Sequence, residues 1–312
     1  MNLNPKIAIL LCTHNGEEYL VEQLTSIVEQ SYSNYIIVIW DDASSDSTPD
    51  LISKFAKTYP EKTHIVSNHN NNLGARGSFS FLIEYVLKNK DILDLEDAYM
   101  MFCDQDDIWL KNKVEELVNT IINAEESANE VRFPVLVHSD LIVVSEKNQN
   151  ISESFINYQG LEIKRNRFAN MVISNLVTGC TAMINESLAR KAIPIPKHAI
   201  MHDWWLALVA AAFGKVIFLT KPLVRYRQHS NNAIGAKEFV KSSPNARSFW
   251  RNLFGMKGNE HLYEVAKQAK YFQRRFKSEL GFKENLGLRI SSCMSVRIGI
   301  VQRFFYRIAR WF

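Results

Sequence analysis

The chain is poor in cysteine, with Cys12, Cys103, Cys180 and Cys293 the only four among 312 residues, and it has no CxxC pair. Such wide spacing argues against a disulfide framework or a zinc site and suits a reducing cytoplasm. No apolar run reaches the roughly 18–20 uncharged residues of a membrane-spanning helix, so an integral membrane protein is not expected. The N-terminal stretch MNLNPKIAILLCTHNGEEYL has one Lys before a short apolar run and no small-residue cleavage site. It reads as a strand and not as a signal peptide. There is no GxxxxGK[ST] loop, which excludes the usual phosphate cradle, and no GxGxxG after the first apolar run, which disfavours a dinucleotide site. No internal repeat or low-complexity stretch occurs.

What is present is an ordinary globular composition, 46% hydrophobic and 22% charged, long enough for one large domain or a domain with an appendage. The formal net charge of +4 conceals an asymmetry. Residues 236–312 hold 16 Lys+Arg against 5 Asp+Glu, which leaves 21 against 28 for residues 1–235. An acidic body with a basic tail implies two tasks, the second directed at an anionic surface.

The first 110 residues alternate strand and helix patterns. Lys6–Thr13, Tyr35–Trp40, His64–Ser67 and Ala98–Cys103 are apolar runs of the kind a strand buried on both faces shows. Between them, Glu17–Gln30, Asp50–Tyr59 and Ser78–Lys88 carry apolar residues at helical spacing. Strands separated by helices predict βαβ units and a parallel sheet, with ligands at the carboxyl ends of its strands. Val135–Ser145 and Val216–Arg227 read as further strands and Trp204–Phe213 as a buried helix. After Gly235 the periodicity is helical to the end, so the chain divides into 1–235 and 236–312.

The predicted strand ends are polar: Thr13-His14-Asn15-Gly16, Asp41-Asp42-Ala43-Ser44-Ser45-Asp46, Asn72-Leu73-Gly74 and Asp104-Gln105-Asp106-Asp107. Helix capping explains any one of them. It explains poorly four on one sheet edge, two of them carboxylate clusters. Three carboxylates in four residues repel one another and are costly to desolvate, so a cation is expected among them. Hard oxygen ligands suit Mg2+ or Mn2+ bridging to substrate phosphates. The simpler reading has these acids capping a Trp109–Val118 helix, with Asp107 as N-cap; it leaves Asp104 and Asp106 unexplained.

THNG, VIWDDASSDST, NNLGARGSF and MMFCDQDDIW, in this order, resemble the family 2 glycosyltransferases, whose GT-A fold is an α/β nucleotide-diphospho-sugar transferase architecture with a mostly parallel central sheet flanked by helices. The resemblance spans about residues 5–235. MHDWWLALVAAAFGKV and LVRYRQHSNNAIG are similar to the rhamnosyltransferase-like branch that builds bacterial surface polysaccharides such as O-antigen or capsule. The resemblance implies that Thr13 and Asn15 contact the nucleotide. It implies that Asp42, with Asp41 beside it, meets the pyrimidine base, and that Arg76 lies near the diphosphate. Asp104 and Asp106 correspond to the DxD pair, Asp104 near ribose and metal and Asp106 a direct ligand. Asp203 corresponds to the catalytic base and His229 to a late histidine that completes the metal or diphosphate site. His14 stands where Tyr or Phe is commoner. The implied partners are a nucleotide-diphospho-sugar donor, with dTDP-rhamnose a candidate, and a lipid-linked saccharide acceptor.

One base and no second carboxylate nucleophile predict a single displacement with inversion. Apolar neighbours suit Asp203 to accepting a proton, and Arg225, Arg227 and Gln228 offer donors near His229. Trp204 or Trp205 serves either the core or an acceptor sugar's face. Two rivals stand beside this reading: a nucleotide-sugar-binding assembly protein without catalysis, and a nucleotidyltransferase, which would release diphosphate. In the tail, Ile290, Met294, Ile298, Val301, Phe305, Ile308 and Phe312 recur at spacings of three and four, with Arg289, Arg297, Arg303, Arg307 and Arg310 opposite. One long amphipathic helix over 285–312 is expected, suited to an anionic membrane surface and to a protein peripheral on the inner face of the cell membrane. The alternative packs that helix on the body. No helix-turn-helix, RRM or zinc pattern supports nucleic-acid binding.

Overall fold

The computed structural model describes residues 4–67, 72–127, 133–229 and 259–311. The expected boundary at 235 lies outside these residues. They fall into two compact units, the first holding the described residues up to 161 with 177–195 and 201–229. The second comprises 162–176 and 196–200 together with 259–311, so it draws in two earlier stretches besides the C-terminal one.

The first unit is built on one curled sheet. Its strands are β1 (Ile7–Thr13), β2 (Tyr35–Asp41), β3 (Thr63–Ile65), β4 (Tyr99–Cys103), β5 (Ile108–Trp109), β6 (Val135–Ser145), β7 (Asn150–Ser152), β8 (Ala182–Ile184) and β9 (Lys215–Gln228), in the order β3-β2-β1-β4-β8-β6-β9-β5 with β7 paired to β6. The first four in that order are parallel neighbours. Ile7, Ala8, Ile9, Leu10 and Leu11 are all fully buried, because helices cover both faces. Those helices are α1 (Leu20–Val28), α2 (Thr48–Thr58), α3 (Gly74–Lys88) and α4 (Lys113–Glu126), followed by α5 (Phe155–Tyr158).

Parallel pairing puts the ends of β1, β2 and β4 on one edge, as expected from the apolar runs. Beyond β4 the sheet is mixed: β8 runs antiparallel to β4 and β6, while β9 runs parallel to β6. The strands β5, β7 and β8 have two or three residues each and carry too little pattern to read from sequence.

Two expectations are corrected here. Ile108–Trp109 is a strand paired with β9, and α4 begins only at Lys113 with Asn112 as N-cap. Asp107 is therefore no helix cap; it is fully buried. The helix α3 starts four residues before the expected Ser78, because an acid from β2's end caps it.

The second unit contains α6 (Phe168–Ile173); α7 (Glu186–Ala192) and α8 (His202–Phe213) belong to the first. The rest of the second unit is α9 (Glu260–Phe276), α10 (Phe282–Ser292) and α11 (Gly299–Ala309). The expected single helix over 285–312 is broken. A 3₁₀ turn at Cys293–Ser295 is followed by extended backbone at Val296 and Ile298, two β-branched residues. Gln302 is buried, accepting the Asn259 N–H at 2.7 Å and donating to the Met294 carbonyl at 3.0 Å. Val301, Phe305 and Ile308 are half-buried. From Gly299 onward the exposed apolar side chains are Ile300, Phe304 and Trp311, which at about 100° per residue share a strip with Arg307. No described helix is long and apolar enough to cross a membrane.

Candidate active site

The loops at the ends of β1 and β2 are knitted together by side chains. Thr13 Oγ1 donates to Asp41 Oδ1 at 2.8 Å. Asn15 has φ 48°, which turns its amide oxygen onto the Ser45 N–H at 2.8 Å, while its own N–H donates to Ser44 Oγ at 2.9 Å. Ala43 also sits in the left-handed region, φ 61°, a strained place for a Cβ and of the kind that clusters at ligand-binding loops. Asp42 is buried. Its carboxylate accepts the N–H groups of Leu73 and Gly74, both at 2.8 Å, and the Trp40 indole N–H at 3.1 Å. It thereby sets the start of α3, whose first turn carries Arg76. A carboxylate offers about four lone-pair sites, so a base contact remains open to Asp42.

Gln105 joins this region to the acidic loop. Its Oε1 accepts the His14 N–H at 2.8 Å and its Nε2 donates to the His14 carbonyl at 3.0 Å. The amide lies so close to Gly16 that a Cβ there would stand 2.3 Å from Gln105 Oε1, which explains the glycine. Sequence reasoning passed over Gln105; its place between the two acids was the available signal.

The acids themselves converge. His229 Nε2 lies 2.9 Å from Asp106 Oδ2, and the imidazole stacks beside Tyr19 with centroids 5.0 Å apart. Asp104 is pushed up to about 7, first by burial and then by the charges of Asp106 and Asp203. The charge of Asp203 thus acts on Asp104 although about a hundred residues separate them. In the first turn of α8, it accepts the Gly179 N–H on Oδ2 at 3.0 Å and the Trp204 N–H on Oδ1 at 2.6 Å. Trp204 and Trp205 are buried, and the Trp205 indole donates to the Ala192 carbonyl at 2.9 Å, so both serve the core.

Two arginines expected to serve phosphate are committed elsewhere. Arg225 binds Asn148 and Asn150. Arg227 is buried, pairs with Glu22, lies over the Tyr19 ring and donates Nε to the Asp106 carbonyl at 3.0 Å. Its own N–H reaches Asp107 Oδ1 at 3.3 Å. Arg227 therefore braces the acidic loop from behind. Below that loop, Asp104, Asp107 and Cys180 bring ligand-type atoms within 4.8 Å of one another. Neither Asp107's burial nor Cys180's proximity was visible in sequence.

The arrangement supplies a cluster of carboxylates, an imidazole at Asp106 and the Asp203 carboxylate, whose charge acts on Asp104. Oxygen donors with one imidazole fit Mg2+ or Mn2+. Burial is the main cause of Asp104's raised pKa, and a cation there would offset the smaller part that comes from the charges of Asp106 and Asp203.

The sequence profile of Glycosyl transferase family 2 matches residues 8–190. The dTDP-rhamnosyl transferase RfbG of Shigella flexneri is 30% identical over 254 residues, which is 78% of this chain and 79% of that protein. Staphylococcus aureus TarS 1-349, solved in complex with UDP-GlcNAc, superposes with a TM-score of 0.56 at 14% identity, covering 98% of this chain and 92% of TarS 1-349. The mannosyltransferase PcManGT from Pyrobaculum calidifontis, in complex with GDP-Man and Mn2+, gives 0.50 at 16% identity over 98% and 75%. The chain belongs to glycosyl transferase family 2 and has the GT-A fold.

Proposed function

We propose that this family 2 glycosyltransferase moves a sugar, with L-rhamnose from dTDP-rhamnose the candidate donor group, to a lipid-linked saccharide during cell-surface polysaccharide synthesis such as that of O-antigen. The observation that carries the proposal is the electrostatic convergence of Asp104, Asp106 and Asp203, with His229 on Asp106. The rhamnosyl donor rests on the RfbG likeness across most of both chains.

Thr13, Asn15, Asp41 and Asp42 form the nucleotide end, with Arg76 on the first turn of α3 toward the diphosphate. Asp106 and His229, with Asp104 beside them, would hold the Mg2+ or Mn2+ ion. When bound, the ion neutralises charge on the departing diphosphate. Asp203 takes the proton of the acceptor hydroxyl. Its two backbone donors fix its orientation for that role. One base and one displacement give inversion at the anomeric carbon.

Peripheral contact with the inner face of the cell membrane completes the reading. Exposed Phe282, Ile300, Phe304 and Trp311 alternate with Arg289, Arg297, Arg303, Arg307 and Arg310 in the second unit, and apolar groups among cations suit anionic lipid.

The test is a panel of nucleoside-diphosphate sugars with Mn2+ and a saccharide-lipid acceptor. Nucleoside diphosphate release is expected, abolished by EDTA and by Asp106→Ala. Release of inorganic diphosphate, or turnover untouched by EDTA, overturns the reading.

A further inference from the structure

Lys113, the first residue of α4, is fully buried. Burying an ammonium is expensive and a Met or Leu would fill the volume. Its Nζ donates to the Cys180 carbonyl at 2.6 Å and stands 3.2 Å from the centre of the Trp109 ring. Burial lowers its pKa to about 8, and the nearby Asp107 and Asp104 charges oppose that fall. The ammonium's hydrogen bond is thus made to a carbonyl, with the acids acting on it at longer range.

That carbonyl belongs to the 3₁₀ turn Gly179–Thr181. From the same turn the Gly179 N–H holds Asp203 Oδ2 at 3.0 Å. The turn has no slack at Gly179, where a Cβ would stand 2.9 Å from His202 Nε2. His202 is itself buried and lies against Phe79 and Phe102. Lys113 therefore grips one peptide of a short turn in which another peptide, two along the chain, grips the candidate base.

We infer that Lys113 is a positioning residue for transfer: by holding the Cys180 carbonyl it fixes the Gly179–Thr181 turn and, through the Gly179 N–H, the orientation of Asp203. This rests on Asp203 being the base. The nucleotide-contacting loops of β1 and β2 are not part of this linkage. The Lys113 hydrogen bond goes to the Cys180 carbonyl and to none of the proposed nucleotide or metal contacts, so donor binding is expected to survive its removal.

The experiment uses the full chain with K113M, K113Q, D203N and the K113M/D203N double variant, measuring kcat and KM for transfer and donor affinity by calorimetry with Mn2+. K113M is expected to lower kcat on the order of 100-fold, the cost of a misplaced catalytic group, with donor affinity unchanged. K113Q keeps an N–H donor, one bond shorter in reach than the ammonium, and recovers part of that loss, with kcat above that of K113M. The double variant is no slower than D203N, because both changes act through one group. The inference is overturned by wild-type kcat in K113M, by kcat and affinity falling together, by additive losses in the double variant, or by both Lys113 variants failing to fold, which would make the lysine a folding determinant only. Wild-type kcat in D203N instead defeats the base assignment, whatever K113M does.

Discussion

Replacing Asp203 by Asn removes a proton acceptor and changes little else in volume. Both carboxylate oxygens accept backbone N–H groups, from Gly179 at 3.0 Å and Trp204 at 2.6 Å. Asn keeps one acceptor oxygen and turns an NH2 toward the other donor. The loss of one such bond at a site only 9% exposed costs about 1–2 kcal/mol of stability. In a chain of this size that lowers Tm by roughly 1.5–3 °C, leaving the protein folded at assay temperature. A positioned base contributes roughly 10²–10⁴ in rate, about 3–5 kcal/mol of barrier. Transfer by Asp203→Asn should therefore fall by two to four orders of magnitude, on the order of a hundred-fold or more, while donor binding with Mn2+ stays within about threefold. Calorimetry of donor binding beside a steady-state transfer assay reads both quantities. Lost donor binding would move Asp203 from base to donor site, and undiminished kcat would remove it from the chemistry.

Three further outcomes follow from particular contacts. Asp42→Ala strips acceptors from two N–H groups at the start of α3 and from the buried Trp40 indole, so thermal unfolding should show a loss of about 2–5 kcal/mol; an unchanged Tm would refute the capping role. His138 is buried and neutral, its pKa lowered by burial to about 3. The unfolded chain then binds the extra proton between about pH 6.5 and 3, so stability is full above that window and is lost as pH falls through it, at about 1.4 kcal/mol per pH unit. His138→Phe should make the acid limb of the stability curve shallower by that amount, and superimposable limbs would contradict it. Replacing Phe304 and Trp311 by Ser should reduce co-sedimentation with anionic vesicles, with the remaining binding weakened by salt; unaltered partition would show that the second unit's exposed strip does not meet lipid.

The parallel half of the sheet was legible because Ile7–Leu11, Ile36–Ile39 and Tyr99–Cys103 are unbroken apolar runs, which only strands buried on both faces require. The polar ends of those strands, and the pairing of Thr13 with Asp41, follow from their being parallel neighbours. Capping across space was not legible. The start of α3 depends on Asp42, some thirty residues earlier, so local periodicity placed it four residues late. Asp107 looked like a helix cap because capping is a local signal, whereas its burial comes from Arg227 and β9. The tail showed a helical period throughout, but a period does not reveal that Val296 and Ile298 leave the helix or that Gln302 turns inward.

Residue order alone determined the α/β alternation, the sheet edge where the polar strand ends gather, and the acidic loop for which a cation is proposed, since each is written in neighbouring residues and the physics of burying them. The tertiary structure alone decided which distant groups meet: His229 on Asp106, Asp203 within reach of Asp104's charge, Arg227 behind the acidic loop, and Lys113 on the turn that holds Asp203. Those meetings depend on the antiparallel return of β8 and the long path of β9, strand pairings whose partners lie far away in the chain and leave little local trace.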